Sequence, residues 1–346
     1  MKIEDINIGL DHPPVIIAEM SGNHNNSLEK ALELVEIAAK SGADILKLQT
    51  YKPETMTINC KNKYFQIKDK KSPWFGRYLF ELYQEANTPW DWHKEIIFQA
   101  KKLGLITIST PFDETSVDFL EDLGVPAFKV ASFENNDFNL IKKICNKNKP
   151  IILSTGLLSL SKLSEVYEFL KINLRNNFAL LKCTSNYPSD PKDSNILTIP
   201  NMRKLFSCEI GLSDHTLGIG VPIASVALGA SIIEKHFIKS RKLGGPDASF
   251  SLEPNELKDL VTQSKIAWKS LGKINYSITS NEANSLQFKR SIFITEDINK
   301  NELLTKKNLR IIRPGHGLDP KYFDIILGKR IKKSVKKGTP FSWSLI

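Results

Sequence analysis

Eight short apolar runs, each ending in a burst of polar residues, recur along the first two thirds of this chain. VIIA, DILKL, LITI and AFKV lead into Glu19-Met20-Ser21, Gln49-Thr50, Ser109-Thr110-Pro111 and Ala131-Ser132-Phe133-Glu134. PIIL, FALLK, EIGL and SIIE lead into Ser154-Thr155-Gly156, Cys183-Thr184-Ser185-Asn186-Tyr187, Ser213-Asp214-His215 and Lys235-His236-Phe237. A run that is apolar at every position suits a strand buried on both faces, and such strands belong to parallel sheets covered by helices. Helical patterns do separate the runs. In the first, Ser27 stands at the N-cap, Leu28, Ala31, Leu32, Val35, Ala38 and Ala39 fall at helical spacing, and Gly42 lies just past the end. Comparable patterns cover Trp90 to Leu103, Glu114 to Leu123, Phe138 to Cys145, Lys162 to Leu174, Val221 to Leu228 and Glu256 to Leu271, and Asn195 to Phe206 is expected to add another. In a closed parallel barrel the active site gathers at the carboxyl ends of the strands, which is where the polar bursts fall.

Two segments break the rhythm. Between Thr50 and Thr88 lies an insertion rich in lysine and aromatic residues, too long for an ordinary strand-to-helix loop and expected to cover the barrel mouth. After Leu271 the alternation stops. A barrel domain over 1–275, a polar linker over 276–287 and a small β-rich domain over 288–346 are expected, the last too small to be comfortably self-sufficient. The net charge of +10 is concentrated there, since residues 287–346 hold 14 Lys and Arg against 5 Asp and Glu.

Composition closes off several classes. No stretch is long and apolar enough to span a bilayer, and the opening MKIEDINIGLDHPP lacks the basic-then-apolar order of a secretory signal, so a cytoplasmic protein is expected. Cys60, Cys145, Cys183 and Cys208 are scattered singly, which suggests neither a zinc knuckle nor a disulfide framework. Cys183 reads as a small buried or cavity-lining residue. No Gly-rich dinucleotide fingerprint or P-loop is present, which disfavours nicotinamide and ATP chemistry.

The strand ends themselves carry the chemistry. His215 ends the seventh strand and His236 the eighth, so adjacent strands bring both imidazoles to one mouth, as a divalent metal with open positions for water and substrate requires. The competing reading is a hydrogen-bonded pair of core histidines. Asp214 and Asp247 stand nearby as support or base, or as cap and turn residues. Lys47, Lys129 and Lys182 lie within strands, where burying an ammonium is costly without an anionic partner. With the hydroxyls of Thr110, Ser132, Ser154, Thr155 and Ser213, they suit a phosphate and a carboxylate bound side by side. Glu19 serves either as acid or base, or as a salt-bridge partner for Lys47 on the next strand.

Taken in order, EMSGNHN, KLQTY, STPFDE, KVASFEN, ILSTG, CTSNYP, GLSDHTLGIG, EKHF, GGPDASFSLEP and RPGHGL resemble the sialic acid synthase family along essentially the whole chain. SFENND, TPWDWH and GGPDASFSLEP are most similar to its pseudaminic acid branch. The resemblance implies an α/β (β/α)₈ TIM barrel followed by an antifreeze-like (SAF) domain. It implies a transferase that condenses phosphoenolpyruvate with an amino-sugar aldehyde, here 2,4-diacetamido-2,4,6-trideoxy-altrose, and water to give a nine-carbon 2-keto acid and phosphate.

By the same resemblance His215 and His236 hold a divalent metal, Mn²⁺ first with Mg²⁺ or Co²⁺ as alternatives. Lys47, Thr110, Lys129, Ser132, Ser154 and Ser213 contact phosphoenolpyruvate, and Glu19, Gln49, Tyr187 and Asp247 take sugar-side or catalytic positions. Lys129 is expected to neutralise the phosphate. Arg313 matches an arginine that the terminal domain inserts into a partner's active site, which implies a domain-swapped homodimer. Ser185 stands where N-acetylneuraminate synthases tend to have Asn, and so fits a different acceptor. Rival readings are an N-acetylneuraminate or legionaminate synthase, a metal-dependent or Schiff-base aldolase using pyruvate, and a nucleic-acid module built on the basic tail. The tail lacks the interleaved aromatics that single-strand binding uses, and neither nucleic acid nor membrane is expected as a partner.

Overall fold

The eight apolar runs form eight parallel strands of one closed barrel in the computed structural model, which describes every residue except Asn176. They are β1 Val15–Glu19, β2 Ile45–Thr50, β3 Ile106–Pro111, β4 Phe128–Val130, β5 Ile151–Ser154, β6 Phe178–Cys183, β7 Glu209–Asp214 and β8 Ile232–His236. β8 pairs with both β1 and β7, and this closes the ring. Eight helices follow the strands: α1 Leu28–Ser41, α2 His93–Lys102, α3 Glu114–Asp122, α4 Phe138–Cys145, α5 Leu160–Leu174, α6 Thr198–Leu205, α7 Gly220–Ala227 and α8 Pro254–Leu271. Each strand is followed by its covering helix, as sequence periodicity predicts.

Side chains alternate across every strand, which divides the core into two parts. Ile16, Ala18, Leu46 and Leu48 face outward onto Ala31, Leu34, Val35 and Ala38 of α1. Ile17, Ile45, Ile106, Ile108, Ile152, Ala179, Leu181 and Ile232 fill the interior, closed below by Ile3 and Ile8 of the amino-terminal segment. The carboxyl end of the same interior is lined instead by Glu19, Lys47, Thr110, Lys129, Ser154, Ser213, Glu234 and His236, all buried. The barrel is thus dry at one end and charged at the other.

The insertion after β2 contains two short helices, Pro53–Met56 and Leu79–Ala86. It is fastened at its base by two buried histidines. His24 shares a hydrogen bond with Thr88 (3.1 Å), and His93 shares one with Thr50 (2.8 Å), whose hydroxyl also meets Ser109 (2.7 Å).

Met1–Gly272 and Lys273–Ile346 form two compact units. The segment 276–287 includes the short helix Ser280–Ala283 and the start of a turn over Asn284–Phe288. In the second unit β9 (Ser291–Ile294) and β10 (Leu309–Ile312) pair antiparallel over Ile292, Ile294, Ile298, Leu304, Ile326, Ile331 and Phe341. The RPGHGL segment lies close on β9. Ser291 Oγ donates to Pro314 O (2.7 Å), Gly317 N donates to Ser291 Oγ (2.8 Å), and a Cβ on Gly317 would stand 2.1 Å from Ile292 O. Only glycine fits there, and the turn that results leaves Arg313 exposed.

Burial holds His24 and His93 down to about 4, well below the ordinary histidine value of 6.5. The unfolded chain therefore takes up protons near pH 6.5 while the folded one resists until about 4, so stability is complete above pH 6.5 and falls as pH drops through that window. The loss is at most about 3 kcal/mol per ring. Urea unfolding at pH 7.5 and 5 should show a smaller pH-dependent loss in His93→Gln than in the wild-type chain. An identical loss in both would mean that this ring does not govern the effect.

Candidate active site

At the charged end of the barrel a cavity of about 470 Å³ opens, lined by residues from strand ends and from the insertion. Volume alone does not single it out, because a hollow of similar size lies among Leu10, Arg203 and Trp268. There, however, Arg203 is already engaged by Glu209, Gly229 O, Ile210 O and Ser231. Of these two hollows, the barrel cavity is the one that gathers several buried ionisable groups, which is what marks a site for chemistry.

One half of the cavity gathers ammonium, carboxyl and hydroxyl groups. Lys47 and Lys129, 4% and 1% exposed, are held from opposite sides by Glu234, at 3.5 and 3.8 Å. Lys47 also pairs with Glu19 (2.7 Å) and donates to Thr110 Oγ1 (3.3 Å), while Lys129 donates to Ser154 Oγ (2.6 Å). Ser213 Oγ donates to Glu234 (3.2 Å). Burial pushes the lysines down and the carboxyls up. In Lys47 the nearby Glu19 and Glu234 outweigh burial and hold it above the usual value, in Glu234 the two lysines outweigh burial and hold it low, and in Lys129 burial prevails. Glu19 is raised, by burial first and by Glu234 as well.

Ser132 and Ser185 meet at Gly156. Gly156 N donates to Ser132 Oγ (3.2 Å), and a Cβ there would stand 2.6 Å from Ser132 Oγ and 2.2 Å from Ser185 Oγ, so the missing side chain makes room for both hydroxyls.

The other half holds the imidazoles. The rings of His215 and His236 lie 5.4 Å apart, with Tyr187 4.3 Å from His215 and Phe250 5.0 Å from His236. His215 Nδ1 donates to Thr184 O (3.0 Å), which fixes the tautomer and leaves Nε2 as the free lone pair. His236 Nδ1 is buried with no hydrogen-bond partner, 3.9 Å from Asp247. Burial, then His215 and the lysines, hold His236 well below the usual range, so it is neutral. Two imidazoles with a carboxylate beside them fit a divalent cation. Among the described residues no set of three His, Cys, Asp or Glu is arranged to hold a metal ion, so the pair of imidazoles is what the cavity offers such a cation.

A hydrogen-bonded line connects the halves: Gln49 Nε2 donates to Glu19 (2.8 Å) and Ser21 Oγ (3.0 Å), and Ser21 Oγ donates to Asp247. Ser21 adopts a positive φ of 51° there, an uncommon conformation of the kind found at functional sites. Burial raises Asp247 above the usual carboxylate range.

Of the residues singled out in the sequence, Glu19, Lys47, Gln49, Thr110, Lys129, Ser132, Ser154, Ser185, Tyr187, Ser213, His215, His236 and Asp247 come together here. Arg313 lies in the second unit. Two readings are corrected. Lys182 is one position out of phase with the inward Leu181 and Cys183, and its Nζ donates to Thr184 Oγ1 (2.8 Å) instead of facing the cavity. Asp214 is taken up by Lys235 and by Thr216, whose N (3.3 Å) and Oγ1 (2.8 Å) donate to it, so of its readings that of a base falls and that of a turn residue holds.

Three cavity features were missed in the sequence. Glu234 lies within an apolar run, two positions before His236, a spacing that signals the same inward face. Glu134 has a buried, unpartnered Oε2, and burial lifts it to about 7. Cys183 has an unforeseen neighbour in His215 (4.0 Å): burial would raise the thiol, but His215, Ser132 and Ser185 outweigh it and bring it to about 7.

Since Glu234 reaches both lysines, Glu234→Gln should lower stability by about 3–5 kcal/mol in anion-free buffer. Added phosphate should raise the Tm of the variant more than that of the wild-type chain. Equal Tm values for the two proteins without phosphate would contradict this account of the lysine pair.

Comparison with known proteins agrees with this geometry. Residues 34–276 match the NeuB family and residues 289–346 match the SAF domain. A pseudaminic acid synthase of Helicobacter pylori is 41% identical over 95% of this chain and 97% of its own, and an N,N'-diacetyllegionaminic acid synthase of Campylobacter jejuni is 38% identical over 93% and 97%. The crystal structure of an N-acetylneuraminic acid synthetase from Leptospira borgpetersenii, 30% identical, superposes with a TM-score of 0.74 over 83% of this chain and 95% of that one. With a barrel that ends in this lysine, serine and imidazole constellation, and with a family match over most of its length, the chain belongs to the NeuB family of sialic acid synthases.

Proposed function

We propose that the chain is a pseudaminic acid synthase, a transferase that joins phosphoenolpyruvate to 2,4-diacetamido-2,4,6-trideoxy-altrose with water, giving pseudaminic acid and phosphate. The observation that carries this reading is the convergence, in one cavity, of an ammonium-and-hydroxyl half with a paired-imidazole half. Phosphoenolpyruvate brings a phosphate and a carboxylate. Lys47, Lys129, Thr110, Ser132, Ser154 and Ser213 supply the donors for both, with Lys129 on the phosphate.

His215 and His236 would hold the divalent cation, for which the family resemblance gives Mn²⁺ first, with Mg²⁺ and Co²⁺ as alternatives. Such a cation supplies Lewis acidity toward an aldehyde oxygen. The methylene carbon of phosphoenolpyruvate bonds to the aldehyde carbon, and the aldehyde oxygen takes a proton to become a hydroxyl. Water adds at C2 and gives up a proton, and the C–O bond to phosphate then breaks as the C2 hydroxyl proton passes to the departing phosphate, which leaves the keto acid. Glu19 and Asp247 are the carboxyl groups assigned to move these protons, with Gln49 and Ser21 orienting them. Tyr187, Ser185 and Gln49 are assigned to the sugar side.

The insertion supports the 6-deoxy acceptor, because beside Asp69 and Ser72 it presents Met56, Ile67, Trp74, Leu79 and Leu82 to the cavity. An apolar wall suits a methyl group but rejects one extra hydroxyl only weakly, so N-acetylneuraminate or legionaminate synthesis stands as the second reading, favoured by the 38% identity to a legionaminic acid synthase. We further assign the protein to the cytoplasm as a homodimer in which Arg313, exposed in its turn, completes the acceptor site of the other copy.

Phosphate release measured against a panel of acceptors should give the highest kcat/KM with the altrose derivative. EDTA should abolish turnover, and Mn²⁺ should restore it. A higher kcat/KM with N-acetylmannosamine would move the assignment to the second reading, and full activity after thorough metal stripping would remove the cation from it.

Mixing inactive Arg313→Ala with inactive His236→Ala subunits should regenerate one intact site per heterodimer. No recovered activity in demonstrated heterodimers would place Arg313 outside the partner's site.

A further inference from the structure

We infer that Lys235 is a positioning residue for the imidazole pair: from the outer face of the barrel it holds the carboxylate of Asp214 and the backbone carbonyl of Thr216, the residues on either side of His215, while its own strand carries His236. The inference rests on the reading of His215 and His236 as cation ligands. Strand alternation puts Glu234 and His236 on the inner face of β8, so Lys235 between them faces outward, where it is 0% exposed. Opposite it in register on β7 stands Asp214, also outward.

Lys235 Nζ donates to Asp214 Oδ2 and to the carbonyl of Thr216. Asp214 in turn accepts from Thr216 N (3.3 Å) and Thr216 Oγ1 (2.8 Å). His215 is the single residue between these two anchors. Its own carbonyl accepts from Ser189 N (3.0 Å), and its Nδ1 donates to Thr184 O (3.0 Å), so backbone and ring are both fixed.

One ammonium therefore joins the strand that carries His236 to the turn that carries His215, and it touches neither the cavity nor anything bound there. Groups that orient metal ligands from behind tune affinity without contacting the ion. A buried ammonium suits that task better than an apolar residue, because it is satisfied only when both oxygen partners stay in place.

The test uses the full chain, stripped of metal and titrated with Mn²⁺ alone, the free ion being read by electron paramagnetic resonance. Lys235→Met, similar in length and neutral, should raise the Kd for Mn²⁺ at least about tenfold while the affinity for inorganic phosphate stays within about twofold. A purely structural role would lower Tm and leave the Mn²⁺ affinity of the folded protein where it was. If Lys235→Met does not fold, Thr216→Val decides the matter, since it removes one hydroxyl from the clamp. It should weaken Mn²⁺ binding, and Thr216→Ser should restore it. Unchanged Mn²⁺ affinity in folded Lys235→Met, or in Thr216→Val where the first does not fold, overturns the clamp. A wild-type chain that binds no Mn²⁺ overturns the reading of the imidazole pair and the clamp with it.

Discussion

Two ammonium groups sit inside the barrel with almost no access to water, and the arrangement around them follows from how they are neutralised. Lys47 is on β2 and Lys129 on β4, strands that do not pair with each other. Glu234, on β8, reaches both across the interior. Desolvating any one of these charges alone would cost several kcal/mol, so the three strands are held at a spacing where the carboxylate serves both lysines. The same arrangement keeps the cations in place before any ligand arrives. Under the proposed function an incoming oxyanion would meet donors that are already oriented, with little reorganisation left to be done on binding.

That constraint also explains which parts of the molecule were legible in the sequence. The barrel was, because strands covered by helices outside and by Ile17, Ile108, Ile152 and Leu181 inside leave continuous apolar runs. The polar bursts gave most of the cavity for the same reason, since they begin where the dry interior ends. Inward and outward faces were harder to assign. Lys129 and Lys182 look alike as lysines within strands, yet Lys129 faces the interior while Lys182, one position beyond Leu181, faces away. A slip of one residue in phase reverses the meaning of a charge.

Glu234 stayed hidden because its partners are on β2 and β4, and a single chain read in order does not display contacts across a closed ring. The proximity of Cys183 to His215 is of this kind too: 32 positions separate them, and only the pairing of β6 with β7 brings them to 4.0 Å. The insertion was legible only as an interruption. Its aromatic content suggested a cover, but no period announced that Trp74 Nε1 would donate to Pro246 O (2.6 Å), next to Asp247.

β8 concentrates these lessons in three consecutive residues. Glu234 faces inward and binds the two lysines, Lys235 faces outward and holds the turn around His215, and His236 faces inward with its Nδ1 unpartnered. Because the strand alternates, an anion-ordering carboxylate and an imidazole share its inner face while the residue between them is free for structural work on the other side. A shift of β8 along its neighbours would disturb the anion half and the imidazole half together. The two halves of the cavity are therefore coupled mechanically through one strand, although Glu234 and His236 make different contacts. That coupling gives a physical reason for building the strand from Glu, Lys and His in this order, where a buried parallel strand would otherwise continue as Ile or Val.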